Sequence, residues 1–95
     1  MSDPVSIMIG VLAADTANKL SSKLSNKDEK ISEKIRNKDF EAAVKEADKT
    51  TIENIYSALT ELYHEDELDA NKLNQFRSAA QEKHEDAEFT QKKSL

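Results

Sequence analysis

The 95-residue chain carries 19 Asp and Glu against 14 Lys and Arg, a formal net charge of −5, and no Cys. Without Cys there is no disulfide framework, no thiolate metal site and no Cys nucleophile; this suits a reducing compartment, and a cytoplasmic location is expected. One Gly and one Pro leave almost no turn chemistry for a β-fold, and no alternating pattern is sustained, so the expected class is all-α: a single small domain over 1–95, built as a helical bundle or extended helical hairpin of about four to five helices.

Pro4–Ala14, PVSIMIGVLAA, is the one strongly apolar run without a charge, and it holds the only Gly and the only Pro. Asp3 is a natural N-cap, and Pro4 suits the first helical position, where its missing N–H costs nothing. A helix over 4–24 is predicted, since Val5, Met8, Ile9, Leu12, Ala13, Leu20 and Leu24 recur at helical spacing. Ile7 and Val11 fall off that stripe, so the first turns are apolar nearly all round, the mark of a helix that is covered. Ser6, Gly10 and Ala14 form a line of small residues at i, i+4 and i+8, along which a neighbouring helix could come close. Eleven uncharged residues are too few to span a bilayer, which needs roughly 20. No Lys or Arg precedes Lys19, so a secretory leader is not expected. Shallow insertion at a membrane surface is the weaker alternative: it calls for flanking cations and an aromatic in the apolar face, and only Lys19 and Lys23 stand nearby.

Ser25–Asp28 has the form of a helix start and opens a charged helical segment over 27–49. There Ile31 and Ile35 are followed by Phe40, Val44 and Ala47. The step of five from Ile35 to Phe40 rotates the stripe by about 140°, which predicts a turn at Asn37-Lys38-Asp39 with Asp39 as cap. No internal repeat is present. Thr50–Glu53 reads as a capping box for a helix over 51–64. Behind it Ile52, Ile55, Tyr56, Leu59, Leu62 and Tyr63 give the cleanest amphipathic pattern in the chain. His64–Asp69 reads as a polar loop, and Asp69 as the cap of a last helix over 70–89. Leu68 and Leu73 are spaced as a hydrophobic staple, and Leu73, Phe76 and Ala80 carry a stripe that fades before Phe89. Residues 90–95 are expected to fray.

Charge is unevenly spread. Residues 1–24 and 25–50 each balance, residues 70–95 come to +1, and residues 51–69 hold Glu53, Glu61, Glu65, Asp66, Glu67 and Asp69 with no Lys or Arg. Nucleic acid is therefore not an expected ligand, because phosphate binding needs clustered cations. An acidic surface around Glu65 and Glu67 would suit a basic protein partner.

Little in the chain suggests chemistry. Glu61 and His64 stand at Glu-x-x-His spacing, but di-metal bundles use that motif twice with two further inward Glu; neither a metal nor any other cofactor is expected. His64-Glu65-Asp66 and His84-Glu85-Asp86 are a coincidence of a low-diversity sequence. No nucleophile elbow, phosphate-binding loop, dinucleotide fingerprint or calcium loop occurs, and an enzyme is not expected. A core this thin favours association. The expected function is a protein–protein interaction module, homo-oligomeric or bound to a larger protein, acting through Val5, Met8, Ile9, Gly10, Leu12 and Ala14 and through Ile52, Ile55, Tyr56, Leu59, Leu62 and Tyr63, with Glu65 and Glu67 setting orientation. The alternatives are the membrane-surface helix and a small acidic inhibitor or antitoxin-like protein that masks a basic site.

Overall fold

Six helices are laid down in order in the computed structural model, which describes residues 3–14 and 16–89. They are α1 (Pro4–Ala13), α2 (Ala17–Leu24), α3 (Glu29–Arg36), α4 (Phe40–Glu46), α5 (Lys49–His64) and α6 (Ala70–Lys83), and no strand occurs among the described residues. The radius of gyration, 11.9 Å, is close to the value of about 12 Å for a compact chain of this length. A folded-back bundle is therefore the architecture, not an extended hairpin.

The expected helix over 4–24 is two helices. The Asp3 carboxylate accepts the Ser6 N–H (2.8 Å) and hydroxyl (3.1 Å), with Pro4 inside the first turn, and the start falls where the sequence places it. The helix then stops at Ala13: Ala14 turns extended, and its N–H bonds only to the Val11 carbonyl. A straight 21-residue helix would run about 31 Å, nearly the longest dimension of the whole molecule, 35 Å. By breaking, α1 packs on α4 and α6 while α2 folds onto α3 and α5.

Two other helix starts differ from expectation by two or three residues. Asp28, not Ser25, caps α3 through the Ile31 N–H at 3.1 Å, and its other carboxylate oxygen accepts the Thr51 hydroxyl at 3.0 Å, tying α3 to the start of α5. Asp48, not Thr50, caps α5, accepting the Thr51 N–H at 2.9 Å. The predicted turn at Asn37-Lys38-Asp39 is present and Asp39 stands at the N-cap of α4, though its side chain makes no capping bond. Asp69 caps α6 through the Lys72 N–H at 2.8 Å, and Leu68 and Leu73 are both buried there. α6 ends at Lys83 rather than near 89, and the proposed tail over 90–95 lies outside the described residues.

The core is continuous. It takes Met8, Val11 and Leu12 from α1, Leu20 and Leu24 from α2, Ile31 and Ile35 from α3, Val44 from α4, and Leu73 and Phe76 from α6. α5 supplies Ile52, Ile55, Tyr56, Leu59 and Leu62 and packs against both α2 and α6. Between α2 and α3, buried Ser32 donates to the Ser21 carbonyl at 2.7 Å, so these helices meet through small side chains.

α3 and α5 both end in a left-handed residue. Lys38 (φ 62°) donates to the Ile35 carbonyl and Asp39 to that of Lys34; Asp66 (φ 61°) donates to Tyr63 and Glu67 to Leu62. This is the paired-bond helix ending usually served by Gly. Left-handed backbone costs an L-residue about 1–2 kcal/mol, partly offset by the greater freedom of Gly when unfolded. Lys38→Gly is expected to raise the unfolding free energy by up to about 1 kcal/mol in urea titration, with a smaller gain for Asp66→Gly because Asp tolerates this region better.

Asp48 makes stability depend on acid. The Thr51 N–H holds its carboxyl below the ordinary value of 3.8, and nearby His84 acts in the same direction. A carboxylate whose folded pKa is depressed contributes fully above the unfolded value and loses that contribution as pH falls through the folded one. Thermal melts should show the wild type losing stability below about pH 4, and Asp48→Asn, which keeps the capping oxygen, should flatten that fall.

Candidate interaction surface

The residues expected to meet a partner divide sharply in the fold. Met8, Leu12, Ile52, Ile55, Tyr56, Leu59 and Leu62 are buried in the chain's own core, and in this fold their side chains are already covered. Val5 and Ile9 are half-buried against that core, as is Ile7. Gly10, Tyr63, Glu65 and Glu67 are exposed and Ala14 is half-buried. Tyr63, at 36% exposure, is the one large hydrophobic side chain left outside among the described residues. The amphipathic face of α5 therefore faces inward, and what remains accessible of the expected surface is its α1 part together with Tyr63, Glu65 and Glu67.

The outer face of α1 is unusual in composition. Ser6, Gly10 and Ala13 are exposed along it, flanked by half-buried Ile9 on one side and Ile7 on the other. Ala13, not Ala14, completes the line of small residues, because Ala14 has left the helix. No charged residue occurs from Pro4 to Ala14. A Cβ built on Gly10 meets nothing within 4 Å. The glycine thus makes no room for another helix of this chain. Beside the strip an open groove of about 340 Å³ runs between α1 and α6, with Ile7 on one wall and Asn71, Asn74 and Ser78 on the other.

The acidic segment is engaged within the molecule. Glu65 takes a hydrogen-bonded ion pair from Lys23 at 2.8 Å, Glu61 lies 4.0 Å from the same ammonium, and Glu67 pairs with Lys19. The hydrogen bond to Glu65, followed by the charges of Glu65 and Glu61, holds the Lys23 ammonium above its ordinary range. Asp69 caps α6, and Glu53 accepts the Glu88 N–H at 2.7 Å. The two lysines of α2, forty-odd residues away in sequence, are what local reading of residues 51–69 misses.

Among the described residues no three His, Asp or Glu side chains gather to hold a metal. Glu61 faces Lys23, and His64 stacks obliquely beside the Tyr63 ring at 5.4 Å. No helix among those residues is long and apolar enough to cross a membrane. Compared with family models, curated proteins and solved structures, the chain matches none.

Because Lys19 and Lys23 face acids across an exposed helix pair, charge order rather than charge itself should matter. Reversing Glu65 and Glu67 to Lys is expected to lower stability by up to about 1 kcal/mol at low salt, less near 1 M salt, where screening is strong. Adding Lys19→Glu and Lys23→Glu to the same chain should recover most of the loss, measured as a double-mutant cycle by urea titration.

Proposed function

We propose that the protein is a non-enzymatic association module that docks a helix on the outer face of α1, with a second copy of the chain as the first partner. The observation that carries this is Gly10: a glycine in the middle of an exposed, uncharged helical face, with open space above it. Gly in a helix interior costs roughly 1 kcal/mol relative to Ala. Among the described residues no contact compensates for it, whereas a backbone laid across Ser6–Gly10–Ala13 would. A two-fold pairing of α1 with α1 brings the same strip onto itself, so one face suffices for both partners.

α1 alone, ten residues and about 15 Å long, is too small for the roughly 800 Å² per partner of a stable interface. The adjoining α1–α6 groove extends it, and the resulting contact belongs to the weak, reversible class. Membrane insertion has less support, since Met8, Val11 and Leu12 of α1 are buried in the core and no aromatic lies in the outer strip. Masking of a basic site has less support too, because the acids of 51–69 already serve lysines, a helix cap and a backbone N–H.

Two substitutions test the reading. Gly10→Ala should raise monomer stability by roughly 1 kcal/mol, as an open helical position gains propensity. Gly10→Leu should keep its helical spectrum yet sediment at lower mass than wild type at micromolar concentration, because the added side chain holds the partner backbone away. A wild type that is monomeric at high concentration, or a Gly10→Leu chain that assembles as before, would overturn the proposal.

A further inference from the structure

Residues 84–89, which follow α6, lie against α5 and α6 as a turn closed by the Ala87 N–H on the His84 carbonyl at 3.1 Å, followed by a short run held by side chains. α6 closes with the His84 N–H on the Ala80 carbonyl, and beyond it the chain makes one turn and then no regular structure as far as Phe89. Side chains of α5 and α6 grip its main chain. The Gln81 amide donates to the carbonyls of Glu85 (2.8 Å) and Ala87 (3.3 Å), and Glu53 accepts the Glu88 N–H at 2.7 Å. Lys49 lies 3.6 Å from the Asp86 carboxylate.

Alternate side chains of the segment are buried. Ala87 and Phe89 are 6% and 8% exposed, while Glu88 between them points to solvent. The Phe89 ring meets Tyr56 edge-on, centroids 5.3 Å apart at 73°. Main-chain bonds for affinity and alternate side chains in pockets for selectivity are how folded proteins take up extended peptides. The Tyr56 hydroxyl is buried without a hydrogen-bond partner among the described residues, a condition that costs free energy. The segment also buries only two apolar side chains, so it belongs to the part of the structure that opens most easily.

We infer that the α5–α6 surface formed by Lys49, Glu53, Tyr56 and Gln81 is a peptide-docking site occupied in cis. Its outside ligand is an extended segment of a partner protein with the order acid, small, any residue, aromatic, as in Asp86-Ala87-Glu88-Phe89. This site is separate from the α1 face and does not depend on its being an interface. The tethered occupant competes at high effective concentration, so a partner's apparent affinity is reduced by the fraction of chains in which the groove is open.

The probe is an end-blocked fluorescent peptide of residues 84–89, titrated with full-length protein and followed by anisotropy. Phe89→Ala in the full chain empties the Tyr56 slot and should bind the peptide at least about tenfold more tightly than wild type. A peptide with Ala in place of its Phe should lose that binding, and Lys49→Glu added to the Phe89→Ala chain should weaken it. Equal or absent binding by folded Phe89→Ala and wild type overturns the inference. Hydrogen exchange on the wild type tests it without any variant. The Glu88 amide should exchange at least about a hundredfold faster than amides in the middle of α5. Protection of Glu88 equal to that of α5 would mean the segment leaves only when the whole fold unravels, and the inference would fall.

Discussion

Burial of α5 between α2 and α6 is the interaction on which the rest of this molecule depends. Its apolar residues at 52, 55, 56, 59 and 62 are covered from both sides, and fully burying a side chain of that size contributes roughly 1.5–3 kcal/mol. In a chain of 95 residues such a stripe is a large share of the available core. α2 and α6 complete it, α3 and α1 cover those two, and α4 packs on α1 and α3. α2 reaches α5 only because the chain breaks after α1, and α3 reaches α2 only because two serines meet where larger side chains would stand. α1 then closes the outside, seated on α4 and α6.

Polar groups follow the same plan. The lysines of α2 face the acids at and just past the end of α5, so the helix pair that carries the core also carries the ion pairs of Lys19 and Lys23. Asp28 serves two helices at once, capping α3 and accepting the hydroxyl of buried Thr51. Most of an acidic surplus that looks unassigned in the linear chain thus proves to be distributed over a cap, two lysines and one backbone N–H. Exposed pairs of this kind contribute little each; their effect lies more in fixing which way α2 runs across α5 than in holding it there.

Local signals were legible and distant ones were not. Asp3-Pro4 and Asp69 identify helix starts because the capping bond spans three residues. The step from Ile35 to Phe40 gives away the α3–α4 turn for a similar reason: the phase of the stripe jumps. The break after α1 is hidden because the steps of four from Met8 to Leu12 and from Leu20 to Leu24 each read as helix, and local spacing does not register that Leu24 would lie about 160° round from Met8 on one straight helix. Thr50-Thr-Ile-Glu53 imitates a capping box, yet Glu53 turns to Glu88, 35 residues onward, and Asp48 takes the cap. Phe89 is beyond any helical stripe and still buried, since its partner Tyr56 lies on another element. On the candidate surface the small-residue line is readable, whereas the inward turning of α5 is decided by α2 and α6 together.

The seating of α1 on α6 has a kinetic side. Contacts between near neighbours form before those that close long loops, because closure entropy grows with separation. α2 with α3 is a local pair, whereas α1 must find a helix that begins 57 residues after its own last one, at Ala70. On that ground α1 is expected to dock late, after the platform beneath it is assembled, so that its outer strip acquires a fixed orientation only on a completed molecule. Any ligand of that strip would select finished chains over partly folded ones, and by mass action it would slow their loss.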